Sequence, residues 1–134
     1  MWLQMMRNRL FTLCYFLILL DLAGCSTTVS SPSIPGTYTA TYSFGDSILT
    51  LEPTGKFTQE VNIKDQPPAA AQGTWEFDSA RSSIALHGII PVGDEFDHLK
   101  SDWRRTDDFP NIPVERLWFK VNIELSEGHP YIKR

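Results

Sequence analysis

Thr37-Tyr38-Thr39-Ala40-Thr41-Tyr42-Ser43-Phe44 is the stretch that decides the fold. Tyr38, Ala40, Tyr42 and Phe44 fall on one side of an extended chain, and the threonines and serine fall on the other. That period of two predicts a half-buried β-strand. Gly45-Asp46 is a turn, and Ile48-Leu49-Thr50-Leu51 predicts the next strand. Pro53-Thr54-Gly55-Lys56 closes a hairpin in which Gly55 supplies a positive φ. Phe57, Gln59, Val61 and Ile63 then alternate again.

Lys64 to Ala71, with Pro67-Pro68, reads as a loop. Trp75 and Phe77 share one face of a further strand, and Ile84 and Leu86 begin another that continues towards Ile90. The stretch from Pro91 to Asn111 is irregular and charged. Leu117, Phe119, Val121, Ile123 and Leu125 form the clearest alternation in the chain, and Tyr131-Ile132 predicts a short last strand. Seven strands joined mostly by short turns predict an all-β domain. An antiparallel meander of this size closes into a small barrel or packs as a sandwich, and the barrel is favoured.

In the N-terminal direction the character changes. Ser26 to Gly36 is polar and contains proline, as a flexible linker does. Before it, Arg7 and Arg9 precede an apolar run from Leu10 to Leu20. Eleven apolar residues are too few to span a bilayer, which takes about 20, but they suit the core of a secretory signal. The run leads to Leu22-Ala23-Gly24-Cys25, with Asp21 as an unusual charge between them.

These four residues resemble the lipobox of bacterial lipoproteins. The resemblance implies cleavage between Gly24 and Cys25, a diacylglyceryl group on the Cys25 thiol and an acyl chain such as palmitate on the new amine. Two or more chains anchor a protein stably. In that family Asp after the cysteine retains a protein in the inner membrane, so Ser26 implies the outer membrane, facing the periplasm. The expected organisation is a signal peptide over 1–24, a lipid-anchored tether over 25–36 and one β domain over 37–134.

The β domain resembles another group. The order Gly36-Thr37-Tyr38, Leu49 to Phe57, Gly73 to Phe77 and Ile84-Ala85-Leu86 is similar to the N-terminal barrel of copper-homeostasis and envelope-stress lipoproteins, and to other lipocalin-like lipoproteins. The stress sensors carry a Cys-x-x-Cys pair in the first hairpin region. No cysteine stands there in this chain, so metal or redox sensing does not carry over.

Composition narrows the function classes. Cys14 falls in the signal, which leaves Cys25 as the single mature cysteine and rules out an internal disulfide. Residues 25–134 hold 10 basic and 15 acidic side chains, a balance that argues against a nucleic-acid partner. His87, His98 and His129 lie on separate segments without metal-ligand spacing. The acidic residues of the 91–111 stretch show no calcium-loop order, and no Gly-x-Ser-x-Gly elbow is present. No cofactor, metal or catalytic residue is expected.

The strongest functional signal is aromatic. Phe96, Trp103 and Phe109 sit in the charged loop beside Arg104 and Arg105, and Trp118 falls on the polar face of its strand. Exposed Trp with Arg is the composition of protein-binding hot spots. The plainer reading is that these rings cover the barrel mouth and pack on one another. Trp103, Arg104, Arg105 and Trp118 are therefore the candidate partner-binding residues of a non-enzymatic envelope lipoprotein. The alternative is a small-ligand carrier, because a barrel of eight strands can just enclose one small ligand.

Overall fold

Eight strands follow one another in the computed structural model, which describes residues 29–93, 99–117, 120–126 and 128–134. They are β1 (Gly36–Tyr42), β2 (Gly45–Leu51), β3 (Lys56–Ile63), β4 (Ala69–Asp78), β5 (Ser83–Ile89), β6 (Asp107–Leu117), β7 (Lys120–Ile123) and β8 (Tyr131–Lys133). Each pairs antiparallel with the next, and β8 returns to β1 to close the barrel. The signal over 1–24, Cys25, Phe96, His98 and Trp118 lie outside the described residues.

The alternation read from the sequence sets the register. Tyr38 stands opposite Leu49, Leu49 opposite Gln59, and Gln59 opposite Ala71, all on the inner face. Phe57 faces Gly73, where a Cβ would lie 2.7 Å from the Phe57 ring and 1.9 Å from the His87 carbonyl oxygen. A missing side chain at Gly73 thus makes room for a large one at Phe57, a common use of glycine in a strand. The buried set includes Tyr38, Leu49, Phe57, Trp75, Ile84, Val114, Ile123 and Tyr131, so all eight strands contribute to it.

Antiparallel order gives the barrel two distinct ends. The first carries the β2–β3, β4–β5 and β6–β7 connections. The second carries the β1–β2, β3–β4, β5–β6 and β7–β8 connections. The segment before β1 packs on the first end: Ser31–Ser33 forms a 3-10 turn, Ile34 is fully buried and Val29 is buried. The Tyr38 hydroxyl donates to the Ile34 carbonyl, and Lys133 Nζ donates to that of Ser33. The linker expected over 25–36 is therefore packed from Val29 onward. Its polar composition hides two apolar side chains that fit the open mouth of the barrel.

The structure also moves two boundaries in the C-terminal half. The irregular stretch expected to run to Asn111 ends earlier, because β6 begins at Asp107. The single strand expected from Leu117 to Leu125 is two: Leu117 ends β6 and pairs with Lys120, the first residue of β7. Leu117 is 54% exposed rather than inward-facing. Between β5 and β6, two residues (Pro110 and Asn111) stand against Ala85 alone, a bulge of the kind where proline is found in sheets.

Candidate functional site

After β5 the chain turns into the second mouth of the barrel. Ile89, Ile90 and Val92 are all buried. Gln59, which points inward from β3, fixes this segment. Its Oε1 accepts from the Ile90 N–H at 2.8 Å, and its Nε2 donates to the Ile90 carbonyl at 3.0 Å. Nε2 also lies 3.2 Å from Ser47 Oγ and 3.2 Å from the Tyr131 hydroxyl, which itself donates to Ser47 at 2.7 Å. Tyr42 adds a bond from its hydroxyl to the Val92 carbonyl at 3.0 Å. A buried side-chain amide is costly unless satisfied, and this one is bonded at both atoms. Burial raises the pKa of Tyr131, with the bonds to Ser47 and Gln59 acting the other way.

Residues 99–106, the described second part of the β5–β6 connection, then pack at that mouth. Lys100 to Arg105 contains two backbone turns, Trp103 N–H to the Lys100 carbonyl and Arg105 N–H to that of Asp102. Trp103 is buried, and its Nε1 donates to Gln66 Oε1 in the β3–β4 connection at 2.9 Å. The Arg104 guanidinium lies 4.2 Å from the Trp103 ring centroid and donates to the Pro67 carbonyl at 3.1 Å. Trp103 is thus an internal anchor, while Arg104 and Arg105 are exposed on the outside of the cap. Phe109 is half-buried against the core.

Of the four candidate partner-binding residues, the structure brings Trp103 and Arg104 into contact and places Arg105 in the same turn. Leu117 and Lys120, the described neighbours of Trp118, pair at the opposite end of the barrel. His87 and Asp108 form an exposed pair on the outer wall at 3.6 Å. His129 Nδ1 lies 2.9 Å from the Thr41 carbonyl oxygen, with its ring against Tyr42. Among the described residues, no group of three His, Cys, Asp or Glu side chains is placed to hold a metal ion.

Sequence reading missed the polar node inside the barrel. Its signal was present, since Gln59 shares the inward phase of Phe57, Val61 and Ile63. Ser47 on β2 and Tyr131 on β8 join it only once the barrel closes around its interior. At that level the interior is occupied by protein side chains. A shallow open cleft of about 230 Å³ lies between β4, β5 and β6, bordered by polar side chains such as Glu76 and Arg81 and by the apolar Phe77, Ala85 and Pro110. Ligand pockets usually begin at about 300 Å³ and are mostly apolar.

The described chain is therefore a lipocalin-like, eight-stranded antiparallel meander barrel, with residues 29–35 packed at one mouth and residues 99–106 at the other. Comparison with known proteins finds no matching family model, no similar curated protein and no similar solved structure.

Proposed function

We propose that this protein is a lipid-anchored, non-enzymatic interaction module of the bacterial envelope, held by Cys25 and presenting the β5–β6 cap to a protein partner. The observation that carries the reading is the pairing of a buried Trp103 with an exposed Arg104 stacked on it. The buried indole fixes the guanidinium in place, so a partner carboxylate would meet a preorganised cation. The outer-membrane location rests on Ser26, and the absence of a catalytic role rests on the sequence alone.

A photo-crosslinking residue at Arg105 tests the site. The expected result is one discrete envelope protein captured at Arg105 and not at Thr54, which lies at the other end. Identical captures at both positions would remove the cap from the interface. The small-ligand carrier is less favoured because Gln59, Tyr131, Ser47 and Ile90 fill the middle of the barrel.

A further inference from the structure

Cys25 and Val29 are separated only by Ser26, Thr27 and Thr28. Val29 is buried against the first end of the barrel. Four residue steps span about 13 Å at most, far less than the reach of the long tether that composition suggests. If Cys25 carries the lipid, as the proposed function requires, the first end of the barrel is confined to the headgroup layer.

The surface of that end suits such a position. Lys56, Arg81, Arg116, Lys120 and Arg134 are exposed there. Leu117, between two of these cations, is 54% exposed. Glu52, Glu76, Asp78 and Glu115 partly offset the positive charge, and Asp78 pairs with Arg81 at 3.6 Å. The second end has the opposite balance. Asp46, Asp65, Asp102, Asp107, Asp108 and Glu124 are described there, against Lys64, Lys100, Arg104 and Arg105. A chain whose mature charge is negative therefore places its positive excess at the lipid-bearing end. Charge rather than exposed apolar surface distinguishes the two ends, since Leu99 at the second end is 80% exposed, and the cations at the first rim match an anionic headgroup layer, which attracts Lys and Arg.

We infer that the first end of the barrel is a membrane-docking surface for the anionic bilayer that holds the anchor, which fixes the barrel upright with the β5–β6 cap pointing away from the lipid. The occupant is the bilayer itself, because the short lead brings no other surface as close. The inference rests on acylation of Cys25, and the test separates the two.

The full chain is expressed so that Cys25 is processed, then reconstituted into vesicles of phosphatidylethanolamine and phosphatidylglycerol. Thr54→Cys at the first end and Lys64→Cys at the second each provide a single free thiol for a spin label. The expected result is loss of collision with a water-soluble nickel complex at position 54 but not at 64. Arg116→Glu with Lys120→Glu should restore collision at 54, because two attractive charges become repulsive. An acylated Cys25 with equal accessibility at both positions overturns the orientation and leaves the anchor intact. An unacylated Cys25 in the mass spectrum overturns the anchor, and the orientation falls with it. Protection at 54 in native envelope membranes but not in protein-free vesicles would assign that end to a protein and overturn the bilayer as its occupant.

Discussion

Gln59 and Ile90, 31 residues apart, exchange two hydrogen bonds inside the barrel, each backbone group of Ile90 meeting one end of the same side-chain amide. The geometry reproduces a pair of strands with a side chain in place of one backbone. It lets the chain leave β5 and cross the buried mouth without abandoning its polar groups to an apolar core.

Replacing Gln59 with Leu keeps the approximate volume but strands the Ile90 N–H and carbonyl and removes a partner from Ser47 and Tyr131. The expected loss of stability is about 2 to 4 kcal/mol, read as a lower urea midpoint. Amide exchange at Ile90 and Val92 should accelerate more than at Leu49, because the cap is released before the barrel opens. Equal acceleration at all three would mean that the amide holds nothing specific to this segment.

Ile34 is fully buried although it lies in a proline- and serine-rich stretch. Ile34→Ala should cost about 2 to 4 kcal/mol in thermal or urea unfolding. A change below measurement error would return this segment to the status of a loose tether.

Gly73→Ala places a methyl group against the Phe57 ring and the His87 carbonyl. Backbone cannot yield easily in the middle of a closed sheet, so a destabilisation of about 1 to 3 kcal/mol or more is expected. Combining it with Phe57→Leu should recover part of the loss, which a double-mutant cycle would resolve. Recovery will be incomplete because the contact with His87 is to a backbone oxygen.

Alkaline pH should weaken the fold. Burial pushes the Tyr38 hydroxyl up from 10.0 to about 12, and burial also raises Tyr131. Between pH 10 and 12 the unfolded chain gives up the Tyr38 proton while the folded chain keeps it. Stability therefore falls as pH rises through that window and is fully present below it. Lys133, whose pKa burial lowers, works in the other direction, since the unfolded chain then holds the extra proton just below pH 10.5. Urea midpoints measured from pH 8 to 11.5 should decline from about pH 10, and less steeply in Tyr38→Phe once its own lower baseline is subtracted.

Much of this barrel was legible in the residues because period two is a local signal. Tyr38 to Tyr42 and Phe57 to Ile63 alternate so regularly that strand, face and register agree. β6 was harder to read. Two prolines, paired acidic residues at its start and a bulge opposite Ala85 break the pattern, although pairing on both sides holds it extended. The run from Leu117 to Leu125 misled in the opposite way. Its alternation continues across a hairpin, and periodicity alone does not register a reversal of direction. The packed segment from Val29 was obscured by composition, since serine and proline outnumber the two apolar residues that matter. At the candidate site, Trp103 and Arg104 were visible as residue types. What escaped was that the indole faces Gln66 rather than solvent, a fact created by two connections far apart in the chain.

Among the described residues the ladder between β1 and β8 is two residue pairs, Tyr38 with Lys133 and Thr39 with Ile132, extended by one backbone bond from the Arg134 N–H to the Thr37 carbonyl. The two strands of that seam are the first and the eighth of the barrel in chain order. Until β8 joins it, β1 presents an unpaired edge able to recruit a strand from another chain. The closing step is consequently late, long-range and brief in extent, and the interval before it is when this barrel is most open to mispairing.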